Sequence, residues 1–261
     1  MIGFFYFIKK IYNFYYKKYT FILMYKIYLV LLILIILLLL LENNSLYNEK
    51  FNNNNPYDNI DIIYYINLTE RTDRKDHFLL EMDKMNIPSD KVHRFNAIKN
   101  TRGEVGCSYS HIRVLEEFID SDYNNCIIFE DDFEFIISKE EFENLIKQVF
   151  DNKIDYDVIM LGCNVREIEN TKYNFLYKLL NGHTTSGYLI SKKFAPILLQ
   201  NYLEGAKLLE ENTVDKYDLY AIDQYWKKLQ PDNNWYVFNP KVGIQMESFS
   251  DIHKVVVNYY V

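Results

Sequence analysis

Three consecutive carboxylates, Glu130-Asp131-Asp132, end the apolar run Cys126-Ile127-Ile128-Phe129 and are the densest chemical signal in the chain. Adjacent like charges disfavour full ionisation unless a cation or solvent relieves them. A hard divalent ion with oxygen ligands, Mn2+ or Mg2+, is the natural counter-charge, and it takes its remaining ligands from water and substrate phosphates. A solvated acidic turn is the competing reading. The segment from Gly103 to His111 is the second signal: two glycines, Gly103 and Gly106, allow close backbone approach, and the segment enters a helix whose N-terminus attracts phosphate. Cys107 or Ser110 beside His111 suggests a nucleophile and a base. However, no Gly-x-Ser-x-Gly elbow is present, and adjacent helical residues do not face each other. Cys107, Cys126 and Cys163 read as small buried residues; they lack zinc spacing, and at most one disulfide is possible among them.

These residues need elements to hold them. Asp61 to Leu68 is a continuous apolar run ending in polar residues, the pattern of a strand buried on both faces. Phe78, Leu79, Leu80, Met82 and Met85 follow at helical spacing. Val92 to Phe95 reads as a short strand, Glu104 to Ile119 as a helix, and Cys126 to Phe129 as a strand. Ser138-Lys139-Glu140-Glu141 is a capping box that opens a helix. Val158 to Leu161 and Thr184 to Ile190 read as strands, with Ser191 capping a helix through Leu199. Ile222 to Leu229 reads as a helix, and Trp235 to Phe238 closes the series as a strand. Strands alternating with helices predict a three-layer α/β domain with a mostly parallel sheet. Ligands in such sheets bind beyond the carboxyl ends of the strands, which raises the weight of Glu130-Asp131-Asp132.

The chain has 261 residues, 49 % hydrophobic and 25 % charged, with net charge −7 and three cysteines. This composition excludes a disordered or disulfide-stapled chain, and the acidic balance argues against nucleic acid as a partner. The average conceals two regions. Residues 1–41 carry Lys9, Lys10, Lys17, Lys18 and Lys26 and no acid, so the remainder is the more acidic part. From Phe21 to Leu41 the only charge is Lys26, a length sufficient for one transmembrane helix. The lysines on its N-terminal side predict a cytoplasmic tail (1–20), a signal anchor (21–41), a stem (42–60) and a lumenal or extracytoplasmic domain (61–261). A cleaved signal peptide is the alternative, although Leu39 to Asn43 offers no small-x-small site. The sequons at Asn43 and Asn67 are expected to be little used.

The ordered set of fragments resembles the family 25 glycosyltransferases. The fragments are Ile66-Asn67-Leu68 with Arg71 and Arg74; Gly103, Gly106, Cys107, Ser110 and His111; and Glu130-Asp131-Asp132. They continue with Leu161-Gly162; Thr184, Gly187 and Tyr188 to Ser191; Asp223 and Tyr225; and Gln245 with Ser250-Asp251-Ile252. The likeness covers about residues 61–252 and implies a GT-A-like fold. It also implies a nucleotide-sugar donor, most often UDP-galactose in the family, and inverting transfer to a hydroxyl of a glycan or protein acceptor. Under this resemblance Asn67, Leu68, Arg71, Arg74, Gly106, Ser110, His111 and Glu130 are expected at the donor, and Asp131 and Asp132 at the metal. Asp223 is expected either to act as the base that deprotonates the acceptor or to be a helix-face acid near Lys227. Arg71 and Arg74 either clamp phosphates or pair with acids, and His183 and His111 either meet metal or diphosphate or are structural. A metal-dependent phosphoesterase or nucleotidyltransferase, and an inactive sugar-nucleotide-binding module, are the alternative functions.

Overall fold

The computed structural model describes residues 55–212 and 217–246, together with residues 19, 24, 31–37, 248–249 and 256–257. Most of the expected tail, span and stem, and Ser250-Asp251-Ile252, lie outside the described residues. Residues 31–37 are helical, but no helix among the described residues is long and apolar enough to cross a membrane.

The domain alternates strands and helices in the order β1 (Ile62–Asn67), α1 (Thr72–Lys84), β2 (Val92–Asn96), α2 (Gly103–Asp120), β3 (Asn125–Glu130), β4 (Phe133–Phe135) and α3 (Lys139–Asp151). It continues with β5 (Val158–Asn170), β6 (Leu176–Ser191), α4 (Ala195–Glu211), α5 (Tyr217–Tyr220), α6 (Ile222–Tyr225), β7 (Trp235–Phe238) and β8 (Gly243–Gln245). The main sheet has the order β2-β1-β3-β6-β5-β7. β1 is parallel to β2 and β3, and β5 to β7, whereas β6 is antiparallel to β3, β5 and β7. The sheet is therefore mixed and mostly parallel, with one reversed strand in its middle. The reversal arises because β5 and β6 form a long hairpin, where the sequence suggested two short separate strands.

Successive side chains of a strand point to opposite faces, so a strand buried on both sides feeds two cores. In β1 and β3, Ile63, Tyr65, Ile127 and Phe129 pack with Phe78 and Met82 of α1 and Phe142 and Ile146 of α3. Ile62, Tyr64, Cys126 and Ile128 pack with Ile112, Leu115 and Phe118 of α2 and Leu198 and Tyr202 of α4. Each fully buried large side chain contributes about 1.5–3 kcal/mol. This arrangement gives the three layers. Leu79 and Leu80 of α1, counted with its apolar face, are exposed instead.

Two cap expectations fared differently. The Ser138–Glu141 capping box forms in both directions, with Glu141 N–H donating to Ser138 Oγ at 3.2 Å and Ser138 N–H to Glu141 Oε2 at 2.9 Å. Ser191 does not cap α4. The helix begins four residues later at Ala195, behind Phe194 and with Pro196 in its first turn, a position where a missing N–H costs nothing. The Ile222–Leu229 helix is a short α6 continued as a 3-10 turn, Trp226–Leu229. The compact body also starts before the expected stem ends: Tyr57 and Ile60 are buried, and Tyr57 OH donates to Met85 O at 2.8 Å.

Candidate active site

β1 and β3 lie side by side and end together, with Ile66 opposite Glu130. A pocket of about 240 Å³ opens beyond these ends, between the turn into α1, the segment after β2 and the first half of α2. Leu68, Arg71, Arg74, Gly106, Ser110, His111, Glu130, Asp131 and Asp132 all line it. Asn67 sits just behind, almost fully buried. One sequence segment after each strand thus reaches a common cavity, as open α/β sheets require.

Strand alternation divides the three acids. Glu130 follows Cys126 and Ile128 in register and falls on the α2 side. Its Oε1 accepts from Thr185 Oγ1 at 2.5 Å, from His111 Nε2 at 3.3 Å and, weakly, from the Cys107 thiol at 3.9 Å. A carboxylate cannot donate, so His111 carries its proton on Nε2, and Tyr188 OH donates to Nδ1 at 3.0 Å. Tyr202 OH in turn faces Tyr188 OH at 3.5 Å. Burial pushes the Glu130 pKa up, but the His111 and Thr185 bonds outweigh it and hold the group below the ordinary carboxylate value.

Asp131 falls on the α1 side. Arg74 Nη1 lies 3.0 Å from both Asp131 Oδ1 and Asp132 Oδ2, and Asn67 Nδ2 donates to Asp131 Oδ2 at 2.6 Å. Asn67 Oδ1 in turn accepts from Arg94 Nε at 2.9 Å and Nη2 at 2.7 Å. Gln245, on β8, donates to Asp132 Oδ2 at 3.1 Å. Burial raises both aspartate pKa values against the pull of Arg74, that of Asp132 to about 7. Asp132 Oδ1 is buried and has no hydrogen-bond partner among the described residues. An unpaired buried carboxylate oxygen beside a second carboxylate is a donor set that fits a hard cation.

The remaining expected residues divide between pocket and scaffold. A Cβ on Gly106 would stand 2.5 Å from Ile98 O, so only glycine lets α2 lie this close to the segment after β2. Ser110 Oγ accepts from Ile98 N–H at 2.8 Å and donates to Gly106 O at 2.7 Å, which uses the hydroxyl in pinning that segment. Arg71 pairs with Asp73 at 2.8 Å. Asp223 is outside the pocket lining. Its Oδ2 accepts the Thr184 N–H at 3.1 Å, and its pKa is raised by burial, then by the charge of Glu130. Thr184 has φ 89°, a left-handed conformation costly for a β-branched residue. Burial, then the charges of Lys227 and Arg166, lower His183 to about 4, so it is neutral at pH 7. The three cysteines are free thiols, and burial drives the Cys107 pKa well up.

Sequence reasoning missed Thr185, Tyr188 as a partner of His111, and Arg94. Cys107, His111 and Glu130 also place Sγ, Nε2 and a carboxylate oxygen within 4.8 Å of one another, a grouping that could hold a metal ion. Cys107 and His111 are four apart on α2 and so share a face, a relation their sequence separation did encode.

Residues 91–217 match the family described as glycosyltransferase family 25 (LPS biosynthesis protein). Procollagen galactosyltransferase 1 of Danio rerio is 27% identical over 132 residues, which is 48% of this chain and 22% of that protein. Human inactive glycosyltransferase 25 family member 3 is 27% identical over 154 residues, 49% of this chain and 25% of its own. The chain thus spans about a quarter of the length of these relatives. Among solved structures, a glycosyltransferase involved in the glycosylation of the major capsid of PBCV-1 aligns at TM-score 0.41 and 11% identity, covering 72% of this chain and 93% of that one.

Proposed function

Since the chain carries a glycosyltransferase family 25 domain, distantly homologous to procollagen galactosyltransferases, we propose that it is a GT-A-like, metal-dependent inverting glycosyltransferase. It would move a sugar, galactose from UDP-galactose first among candidates, to a hydroxyl of a glycan or protein. The single observation that carries this reading is the pocket at the ends of β1 and β3, where arginines and a carboxylate triplet converge and Asp132 Oδ1 has no partner among the described residues. Asp131 and Asp132 would hold Mn2+ or Mg2+. When bound, the ion would offset the charge that grows on the departing diphosphate.

The chain's own residues supply the rest. Arg71, at the pocket wall, adds positive charge where the diphosphate would lie. Asp223 is the candidate base: burial lifts its pKa from the ordinary value toward the working range of a general base, and the Thr184 N–H fixes one of its oxygens. The acceptor hydroxyl would give its proton to Asp223 on the face opposite the leaving UDP. The N-terminal leader would hold the domain in a lumenal or extracytoplasmic compartment, and protease protection in sealed vesicles tests that placement.

An inactive sugar-nucleotide-binding module is the second reading. One observation favours it: Arg74 already bridges Asp131 and Asp132, the position a cation would take. A screen of UDP-hexoses with Mn2+, measuring UDP release with and without hydroxylysine peptides or glycans, separates the two. Acceptor-dependent UDP release is the expected result. Donor binding without release, for every donor and acceptor offered, would leave the inactive module.

A further inference from the structure

The hydrogen bonds to Glu130 are all on one oxygen. Thr185 Oγ1, His111 Nε2 and the Cys107 thiol converge on Oε1. Among the described residues no donor reaches Oε2, and the side chain lines the pocket with one-fifth of its surface exposed. The donors behind it form a directed chain. Tyr202 OH faces Tyr188 OH, Tyr188 OH donates to His111 Nδ1, and His111 Nε2–H donates to Glu130. His111 and both tyrosines are fully buried, and the His111 ring stacks on Tyr188 at 5.9 Å between centroids. Buried polar side chains are costly unless fully bonded, and such a network fixes one geometry. One carboxylate oxygen is therefore locked, and the other is presented to the cavity as a bare acceptor.

We infer that Glu130 Oε2 accepts a hydroxyl of the transferred sugar, and that His111, Tyr188 and Thr185 are positioning residues that act through it. This rests on the function proposed above. An ionised carboxylate repels a diphosphate and accepts hydroxyls, so its ligand is a sugar or ribose hydroxyl. The sugar is favoured by position. In a transfer it lies between the diphosphate and the base. Glu130 adjoins Asp131 and Asp132 on one side and, through β6, feels the charge of Asp223 on the other. His111 then never touches the donor. It selects the rotamer of the residue that does, and the Gly-Cys-Ser-His segment acquires a role as a support for specificity.

Calorimetric titration of the full chain in Mn2+ tests this, using UDP alone and the UDP-hexose that the wild type binds tightest among UDP-galactose, UDP-glucose and UDP-N-acetylglucosamine. Glu130→Gln is expected to weaken the UDP-hexose by about 10- to 100-fold and to leave UDP within about twofold, the loss of one charged hydrogen bond. Tyr188→Phe removes one hydroxyl two bonds away and is expected to give a smaller loss, about three- to tenfold, again confined to the sugar. His111→Gln, which retains a donor for Glu130, should bind the sugar nucleotide more tightly than His111→Ala. Equal losses for UDP and UDP-hexose would overturn the inference, because they would place Glu130 at the ribose or mark the chain as merely structural. An unchanged UDP-hexose affinity in both Glu130→Gln and Tyr188→Phe would overturn it while leaving the glycosyltransferase reading intact. A wild type that binds neither UDP nor any UDP-hexose would overturn both. A transition metal held stoichiometrically by the wild type and lost from Cys107→Ser would also overturn it, since Cys107, His111 and Glu130 would then be its ligands.

Discussion

Glu130 and the Asp131-Asp132 pair are neighbours in sequence, yet the protein balances them in opposite ways. Glu130, on the α2 side, is bound by His111, Thr185 and Cys107, and has a lowered pKa. The two aspartates, on the α1 side, share one guanidinium, have raised pKa values, and leave Asp132 Oδ1 without a partner. The first group has one oxygen fully bonded and the other open to the pocket. Among the described residues the second is one positive charge short, since two carboxylates share Arg74. A buried charge without full compensation persists only at a cost, and such sites concentrate where a ligand supplies what is missing. On the function proposed above, the contrast separates a positioning element from a site that would take a cation.

The largest effect expected from breaking this contrast is on turnover. Asp132→Ala should lower UDP release at saturating donor and Mn2+ by roughly 100- to 1000-fold, the range for removal of one group that stabilises developing charge. Turnover within threefold of wild type would remove Asp132 from the chemistry. Arg74→Met is the next largest. It leaves two buried carboxylates without their counter-charge, a change that costs about 3–5 kcal/mol. In a domain of this size that is a fall in Tm of roughly 6–20 °C in the absence of metal. Millimolar Mn2+ should restore more of the lost Tm in Arg74→Met than it adds to wild type, because the guanidinium and the ion would compete for the same oxygens. Equal Mn2+ shifts in the two proteins would separate the ion from the aspartates.

Much of this contrast was legible in the sequence, and the reasons for the remainder are physical. Continuous apolar runs at Ile62–Ile66 and Cys126–Phe129 announce strands buried on both faces, and the polar residues after them fall at the strand ends whatever the detailed topology. Placing Arg71, Arg74, Gly106, His111 and Glu130 to Asp132 around one pocket therefore drew on the general rule for ligands of parallel sheets together with the family resemblance. Thr185 was not legible. Its approach to Glu130 follows a left-handed residue at Thr184, and a threonine gives no sign of adopting φ 89° as a glycine would. The Arg94–Asn67–Asp131 chain was likewise hidden, because it links the neighbouring strands β2 and β1 to the residue after β3 through side chains alone. Ser191 misled for a related reason: a serine before an apolar run satisfies the capping pattern, but Pro196 moved the helix start to Ala195.

The raised pKa of Asp132 gives a smaller effect with a definite sign. Burial lifts it from the ordinary carboxylate value to about 7, so the folded state holds a proton that the unfolded state releases. The resulting destabilisation is absent below the unfolded pKa, grows as pH rises through the interval, and is complete above 7. Asp132→Asn has no such titration and leaves Asp131 to pair with Arg74. Measured in chelator, the Tm of Asp132→Asn relative to wild type should therefore climb between pH 4 and pH 7 and then level off. A difference that is flat across that range, or that falls with pH, would mean that Arg74 compensates Asp132 in full and that no charge is missing.

The smallest expected effect lies at the rim. Lys99 and Glu70 form an ion pair at the pocket mouth, and the Lys99 bond lowers the Glu70 pKa. Both side chains are largely exposed, so solvent screens the pair and the long side chains lose entropy in forming it. Glu70→Gln should leave Tm unchanged within measurement, in contrast to Arg74→Met, whose side chain is largely buried in the same pocket. Its effect should appear in binding, where removal of one negative charge from the mouth raises the affinity for UDP slightly at low salt and not at high salt. A clear loss of Tm in Glu70→Gln would show that the rim pair is as well shielded as the Arg74 pair. The distinction between a screened mouth and a charge-deficient floor would then fail.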